Sequence, residues 1–318
     1  MAAHRVRGKV GIVGTGMVGS SFAYSLMQSG MANEIVLIDQ DGERAEGEAM
    51  DLNHGLPFVG TMRIRAGGYA DLAGAEVVVL TAGANQRPGQ TRLDLLESNV
   101  EVFRDIVPKV VEANPDGVIV VATNPVDILT QLTAEMAGLT WGRVLGSGTI
   151  LDTARFRYLL GLYYDINPRS VNALVVAEHG DTAVAVWSRA AVAGIPLSQF
   201  VGPSGKGPDP AAFTDIFEQV KNAAYEIVRR KQSTYYAIGL GLQSIVRAIL
   251  RDQKTVLTVS LPIRGAFGVE GIALSLPMVV GRLGAEYSLE LPMDESEVEA
   301  FRRSGWTLQE QLTKIEPQ

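Results

Sequence analysis

The chain has three histidines and no cysteine. Histidine is the side chain whose ordinary pKa lies nearest neutrality, so neutral-pH proton transfer has few candidates here. His4 lies near the start of the chain. His54 follows a helical stretch in Asp51-Leu52-Asn53-His54-Gly55, where a helix-end histidine is usually structural. His179 stands in Glu178-His179-Gly180-Asp181, between two segments of strand-like pattern and beside two carboxylates. It is either the acid/base of a reaction or a hydrogen-bonded turn histidine. Asp152 and Arg155 are three residues apart at the start of a predicted helix, so they share a face. An ordinary surface ion pair is one reading. The other is a carboxylate that orients an imidazole beside a guanidinium that clamps a substrate carboxylate.

A second constellation is made of glycine. Gly14-Thr15-Gly16-Met17-Val18-Gly19 follows the apolar run Val10-Gly11-Ile12-Val13 and opens a helical pattern. In that setting the first glycine allows a tight turn and the second lets backbone approach a pyrophosphate. The third lets helix and strand pack closely. The free N–H groups of a helix start favour phosphate. Asp39 ends the next predicted strand, at the spacing of a carboxylate that accepts ribose hydroxyls and repels a 2′-phosphate. The pattern therefore points to NAD rather than NADP. A related fold binding FAD, or no nucleotide, is the alternative. Thr81-Ala82-Gly83-Ala84-Asn85-Gln86-Arg87-Pro88-Gly89-Gln90-Thr91-Arg92 follows another apolar strand. A polar loop with two arginines at the carboxyl end of a parallel strand is either a closing lid or a surface loop.

These groups need a scaffold, and the pattern of the chain supplies one. Val10 to Val13, Glu34 to Ile38, Met62 to Ala66, Val77 to Leu80 and Val118 to Ala122 read as strands. Met17 to Ser29, Gly42 to Asn53, Leu93 to Ala113 and Val126 to Ala137 read as helices, the third broken before Pro108. Alternation of this kind predicts a parallel sheet covered on both faces. From about Gly146 the pattern changes. Thr149 to Leu160 reads as a helix. Val171 to Val176 and Thr182 to Ser188 alternate, and 202–208 is a Pro/Gly loop. Ala211 to Leu250 reads as two helices, Val256 to Leu289 as strands with turns, and Glu295 to Leu312 as an amphipathic helix. The expected fold class is α/β, a Rossmann doubly wound parallel sheet followed by a mixed α+β substrate domain. The expected division is 1–146 for NAD and 147–318 for substrate and catalysis.

Composition narrows the function. Of 318 residues, 47% are hydrophobic and 20% charged, which excludes a disordered chain. Lys+Arg 28 against Asp+Glu 35 gives a net charge of −7, which argues against nucleic acid as a partner. The lack of cysteine excludes disulfides, thiolate metal sites and a thiol nucleophile, and scattered histidines argue against zinc. No apolar run approaches the ~18 residues of a membrane span, and none precedes Val10 as a signal segment. A cytoplasmic enzyme with no metal is the expectation.

Together these motifs closely resemble the L-lactate/malate dehydrogenase family, and within it the bacterial L-lactate dehydrogenases. The resemblance runs from about Val10 to the C-terminal helix. It rests on Gly14 to Gly19, Ala82 to Gly89, Thr123-Asn124-Pro125-Val126-Asp127, Leu151 to Arg157, and Glu178 to Asp181. It implies NAD-dependent interconversion of (S)-lactate and pyruvate, a fermentative route to NAD. His179 would be the acid/base, with Asp152 holding its tautomer. Arg155 would bind the substrate carboxylate, and Arg92 would polarise the ketone oxygen on loop closure. Asn124 would hold substrate oxygen and cofactor, Thr234 would line the substrate pocket, and Ile238 would press on the nicotinamide. Gly14, Gly16, Met17, Val18, Gly19, Asp39, Ala82 and Gly83 would complete the cofactor site.

Gln86 stands where related malate dehydrogenases carry Arg for a second carboxylate. The resemblance therefore favours pyruvate over oxaloacetate, with malate dehydrogenase the alternative. Arg157 matches an arginine that grips fructose 1,6-bisphosphate in many bacterial members, but its histidine partner is Asn172 here. Strong activation is not expected. Ala177 replaces the family's glycine before Glu178, and Gln90 stands where Glu is common. The family associates as dimers or tetramers. A homotetramer is expected, with the helix from Gly42 as an interface element.

Overall fold

The computed structural model describes residues 8–84 and 92–315, with side chains from residue 95 onward in the second stretch. Elements alternate at first. They are β1 (Lys9–Val13), α1 (Met17–Ser29), β2 (Glu34–Ile38), α2 (Gly42–Gly55), β3 (Arg63–Ala66), β4 (Val77–Leu80), α3 (Arg92–Ala113), β5 (Val118–Val121), α4 (Val126–Ala137) and β6 (Val144–Gly146). The second half opens with α5 (Ile150–Tyr164) and short strands β7 (Val171–Asn172), β8 (Val175–Val176), β9 (Val184–Ala185), β10 (Ala191–Val192) and β11 (Ile195–Pro196). It closes with α6 (Pro210–Lys231), α7 (Tyr236–Leu250), β12 (Thr255–Arg264), β13 (Glu270–Gly281), β14 (Gly284–Ser288) and α8 (Glu295–Thr313).

Strands β1, β2, β4 and β5 are buried along their whole length. Such runs suit a parallel sheet with helices on both faces. β1 to β6 pair in parallel in the order β6-β5-β4-β1-β2-β3. This is the doubly wound arrangement, and its order reverses between β1 and β4. The crevice outside the carboxyl ends of those two strands is where such sheets take ligands. Both glycine-bearing loops, 14–16 and 81–84, leave the sheet there.

The sheet continues past the position where the sequence pattern changes. β12 joins β6 antiparallel through Ser260 and Gly146, and β13 and β14 extend it to nine strands. α7 lies against α1 so closely that a Cβ on Gly239 would stand 3.1 Å from the Ser21 backbone. The Ser25 hydroxyl donates to the Gly239 carbonyl across this contact at 3.1 Å. A second apolar cluster fills the space between α5, α6 and the short strands, with Phe156, Trp187, Phe213 and Phe217 in ring contact. Helix ends follow local chemistry. Asp41 caps α2, Asp209 caps α6 ahead of Pro210, and Asp294 and Glu297 form a capping box on α8.

Some expectations need correction. α3 is one helix through Pro108 rather than a helix broken before it. Proline removes a backbone bond from a helix interior. Here Val100, Phe103, Val107 and Val110 are buried on one face, and that burial carries the helix through. Val171 to Val176 is two short strands, and Thr182 to Ser188 contributes only β9. α5 runs on to Tyr164, where Asp165 takes a left-handed turn at φ 56°.

Candidate active site

The nucleotide end is built from backbone. Gly14 has φ +98°, and a Cβ there would lie 2.4 Å from the Ala82 nitrogen. A Cβ on Gly19 would lie 2.0 Å from the Gly14 carbonyl oxygen. These two glycines let β1, α1 and the 81–84 loop close on one another. Gly16 differs, because a Cβ on it would meet nothing within 4 Å. It faces open space at the start of α1, whose N-cap has no side-chain hydrogen bond. The N–H groups of Met17 and Val18 thus begin a helix without a protein cap, with Met17 exposed. This cradle fits a pyrophosphate.

Asp39 ends the crevice on the β2 side. Its carboxylate accepts from the Thr15 N–H at 2.6 Å, the Thr15 hydroxyl at 2.9 Å and the Asp41 N–H at 3.1 Å. Burial pushes its pKa up, but these hydrogen bonds and Arg44 hold it below the ordinary carboxylate value. Asp39 is therefore an anion at neutral pH, suited to ribose hydroxyls and hostile to a 2′-phosphate. Thr81 donates to the Gly14 carbonyl at 2.6 Å, and Thr123 to the Ala82 carbonyl at 2.7 Å. A Cβ on Gly83 would lie 2.5 Å from the Thr123 methyl.

Asn99 is a connector that the sequence reading missed. Its side-chain oxygen accepts from the Ala84 N–H at 2.7 Å and its nitrogen donates to the Asn124 carbonyl at 2.8 Å. It is 2% exposed, so this one amide fixes the loops after β4 and β5 to each other. Its signal was a polar residue on the apolar stripe of Leu96, Val100, Phe103 and Val107.

A second, charged cluster is built from side chains. Asp152 and Arg155 rise from the first turns of α5. His179 sits in the turn between β8 and β9. The structure brings all three together. His179 Nδ1 is 2.5 Å from Asp152 Oδ2, and Arg155 Nη1 donates to Asp152 Oδ1 at 3.0 Å. Asp152 is 6% exposed, so this is no surface pair. Burial alone would push its pKa up; His179 and Arg155 more than offset this and hold it low. Burial would likewise lower His179, but Asp152 and then Asp127 outweigh it, leaving its pKa above the ordinary histidine value. With Nδ1 committed to Asp152, Nε2 is the nitrogen left to exchange a proton.

The turn itself is anchored on every side. Ala177 exchanges two backbone bonds of 2.9 Å with Ser275 and holds φ +71°, a left-handed conformation that favours glycine. Glu178 accepts from the Thr182 N–H at 2.9 Å, and its own N–H donates to Ser304. The His179 N–H donates to Asp127 at 2.7 Å. Asp127 belongs to a motif singled out in the sequence, but no role for it was evident there.

The remaining predicted residues are placed as follows. Asn124 is exposed after β5, and Thr234 is half-buried in the turn between α6 and α7. Ile238 is half-buried on α7, near the face where Gly241 approaches Ile150 at the start of α5. Arg157 is on α5, where its Nε donates to the Ala173 carbonyl at 2.8 Å, next to exposed Asn172. Arg92 is the first residue of α3, and its side chain lies outside the described residues. Gln86, Arg87 and Gln90 also lie outside them.

Known proteins resemble the chain in both sequence and fold. The family model for the lactate/malate dehydrogenase NAD binding domain matches residues 8–146, and the one for the α/β C-terminal domain matches residues 149–318. The chain is 46% identical over 308 residues to an L-lactate dehydrogenase of Thermoanaerobacter sp. (strain X514), covering 97% of this chain and 99% of that one. It is 50% identical over 307 residues to an L-lactate dehydrogenase of Synechococcus sp. (strain JA-3-3Ab), covering 96% and 99%. The crystal structure of the minor L-lactate dehydrogenase of Enterococcus mundtii in ligand-bound form superposes with a TM-score of 0.93 at 43% identity, covering 98% of this chain and 99% of that one. With both halves of the chain matched, residues 8–146 are an NAD-binding domain, and the chain belongs to the lactate/malate dehydrogenase family.

Proposed function

We propose that this chain is an NAD-dependent L-lactate dehydrogenase in which His179 is the proton carrier. The observation that carries the mechanism is the buried Asp152 carboxylate, shared between His179 Nδ1 and Arg155. The uncapped start of α1 and the open face of Gly16 hold the pyrophosphate, with Met17 and Val18 offering N–H groups. Gly14 and Gly19 close the turn. Asp39 takes the ribose hydroxyls, and Ala82, Gly83, Asn124 and Ile238 line the path to the nicotinamide. When bound, NAD supplies the hydride acceptor or donor at the substrate's C2.

The protein's own part is binding and proton transfer. Arg155 turns a planar guanidinium to the substrate carboxylate, a fork that Lys cannot copy. His179 Nε2 takes the hydroxyl proton of lactate, or returns it to the ketone oxygen of pyruvate. Asp152 fixes the tautomer and stabilises the imidazolium that results. Arg92 places positive charge where negative charge develops on that oxygen. Asn124 and Thr234 complete the substrate pocket.

Gln86 sets the substrate class. A neutral amide leaves the second carboxylate of oxaloacetate without a partner, and a buried unpaired charge is expensive. We assign 1–146 to NAD binding and 147–318 to substrate and catalysis, although one sheet runs through both. Among the described residues no helix is long and apolar enough to cross a membrane. The reading places the enzyme in the cytoplasm as a homotetramer. Exposed Tyr24, Met50, Phe58 and Leu240 on α1, α2, the turn after it and α7 supply apolar area for self-association. With Asn172 in place of the partner histidine, Arg157 gives an incomplete bisphosphate grip, so strong activation is not expected.

NADH oxidation followed at 340 nm with pyruvate and oxaloacetate in parallel tests this reading. Higher kcat/KM for pyruvate supports it. Preference for oxaloacetate overturns the role of Gln86.

A further inference from the structure

His179 is gripped twice, once by the ring and once by the backbone. The second grip is Asp127, in the first turn of α4. Its Oδ2 accepts the His179 N–H at 2.7 Å, and its Oδ1 accepts the Ser260 hydroxyl of β12 at 2.6 Å. The residue is 2% exposed, and no Lys or Arg forms an ion pair with it among the described residues. A solitary buried carboxylate is a poor choice for a merely structural anchor. An asparagine would accept the same N–H from the same place without a charge to desolvate.

We propose that Asp127 is a positioning residue for proton transfer. Its carboxylate fixes the backbone under His179 and supplies a second negative charge that favours the imidazolium. The inference rests on His179 being the proton carrier. The groups facing His179 are Asp152 and Arg155 from α5, Asp127 from α4 and its neighbour Glu178. Those facing Asp127 are Ser260 from β12, Glu178 and His179 itself. Of the carboxylates, Asp152 and Asp127 act on the imidazole directly, and Arg155 opposes them.

The charge carries a stability penalty. Burial pushes the Asp127 pKa up to about 7, against hydrogen bonds from Ser260 and His179. A carboxyl whose folded pKa lies above its unfolded value weakens the fold as pH rises between the two. Removing the charge should therefore spare the fold while harming the chemistry.

The test is Asp127→Asn, whose amide oxygen can still accept from His179 and whose nitrogen can donate to Ser260. The pH dependence of kcat/KM for pyruvate is measured beside thermal unfolding. The expected basic limb moves to lower pH by about half a unit to one unit. Above the limb the rate falls about three- to tenfold, with Tm unchanged or raised. Ser260→Ala keeps the carboxylate but removes one bond that favours its charged form, so its limb moves the same way by less. A wild-type limb in both variants overturns the proposal. So does a fall in Tm with no movement of the limb, which is the behaviour of a structural anchor. A wild-type enzyme that does not reduce pyruvate, or a His179→Asn variant with full activity, overturns the functional reading and this inference with it.

Discussion

The two ends of the crevice are built by opposite means. At the nucleotide end the determinants are absences of side chain: Gly14 and Gly19 allow close backbone contact, and Gly16 leaves a helix start open. At the proposed acid/base end the determinants are side chains held in charge register by one another: Asp152, Arg155, His179 and Asp127. The first end is local, since one strand-turn-helix carries most of it. The second draws on α4, α5, β12 and the turn between β8 and β9. A backbone site recognises a constant cofactor by shape. A side-chain site of the kind proposed here depends on pKa values set by neighbours far apart in sequence.

That contrast predicts opposite responses to substitution. The largest effect is expected at the charged end. His179→Asn should lower kcat for pyruvate by about 10²–10⁴-fold, the range for loss of a positioned acid. NADH affinity should stay close to wild type, measured by fluorescence titration. Substrate choice follows in size. Gln86→Arg should raise kcat/KM for oxaloacetate relative to pyruvate by about tenfold or more, since a new ion pair then meets the second carboxylate. An unchanged ratio would remove Gln86 from the account.

The glycines sharpen the comparison from the other side. Gly16→Ala should keep the wild-type Tm, because the new methyl meets nothing in the protein. Its NADH affinity should weaken about tenfold, roughly 1.4 kcal/mol, because the methyl enters the pyrophosphate cradle. Gly14→Ala should fail differently, by destabilising the fold, since its Cβ would strike the Ala82 backbone at a positive φ. Equal loss of Tm in the two variants would break the distinction drawn here. The smallest effect is expected at Ala177, held at φ +71°. Ala177→Gly relieves a left-handed penalty of about 1–2 kcal/mol but adds freedom to the unfolded chain. A net gain of about 0.5–1 kcal/mol should appear as a small rise in Tm.

The same contrast explains what could be read from the sequence. Strands β1, β2, β4 and β5 and the glycine turn were legible because burial and backbone freedom leave local marks. The antiparallel completion of the sheet was not, because pairing of Ser260 with Gly146 is a contact across more than a hundred residues that leaves no periodic trace. Asp152 and Arg155 were legible as neighbours on a helix face. Their meeting with His179 followed from the resemblance to a family, since helical spacing alone favours a surface pair. Asp127 was visible only as a letter in a motif. What marks it is burial without a Lys or Arg partner among the described residues, and that depends on packing. The continuation of α3 through Pro108 was not legible, because a proline marks a local break while the apolar face that sustains the helix is buried only by packing.

The central claim is that Asp152 holds His179 as the proton donor. Asp152 raises the His179 pKa, so the protonated form that pyruvate reduction needs is present at low pH and lost as pH rises through that raised value. The most direct measurement is therefore the pH dependence of kcat/KM for pyruvate at saturating NADH, in the wild type and in Asp152→Asn. The account predicts a wild-type limb above the ordinary histidine value, and a variant both slower by about 10²–10⁴-fold and with its limb displaced to lower pH. The same limb in both proteins would contradict it.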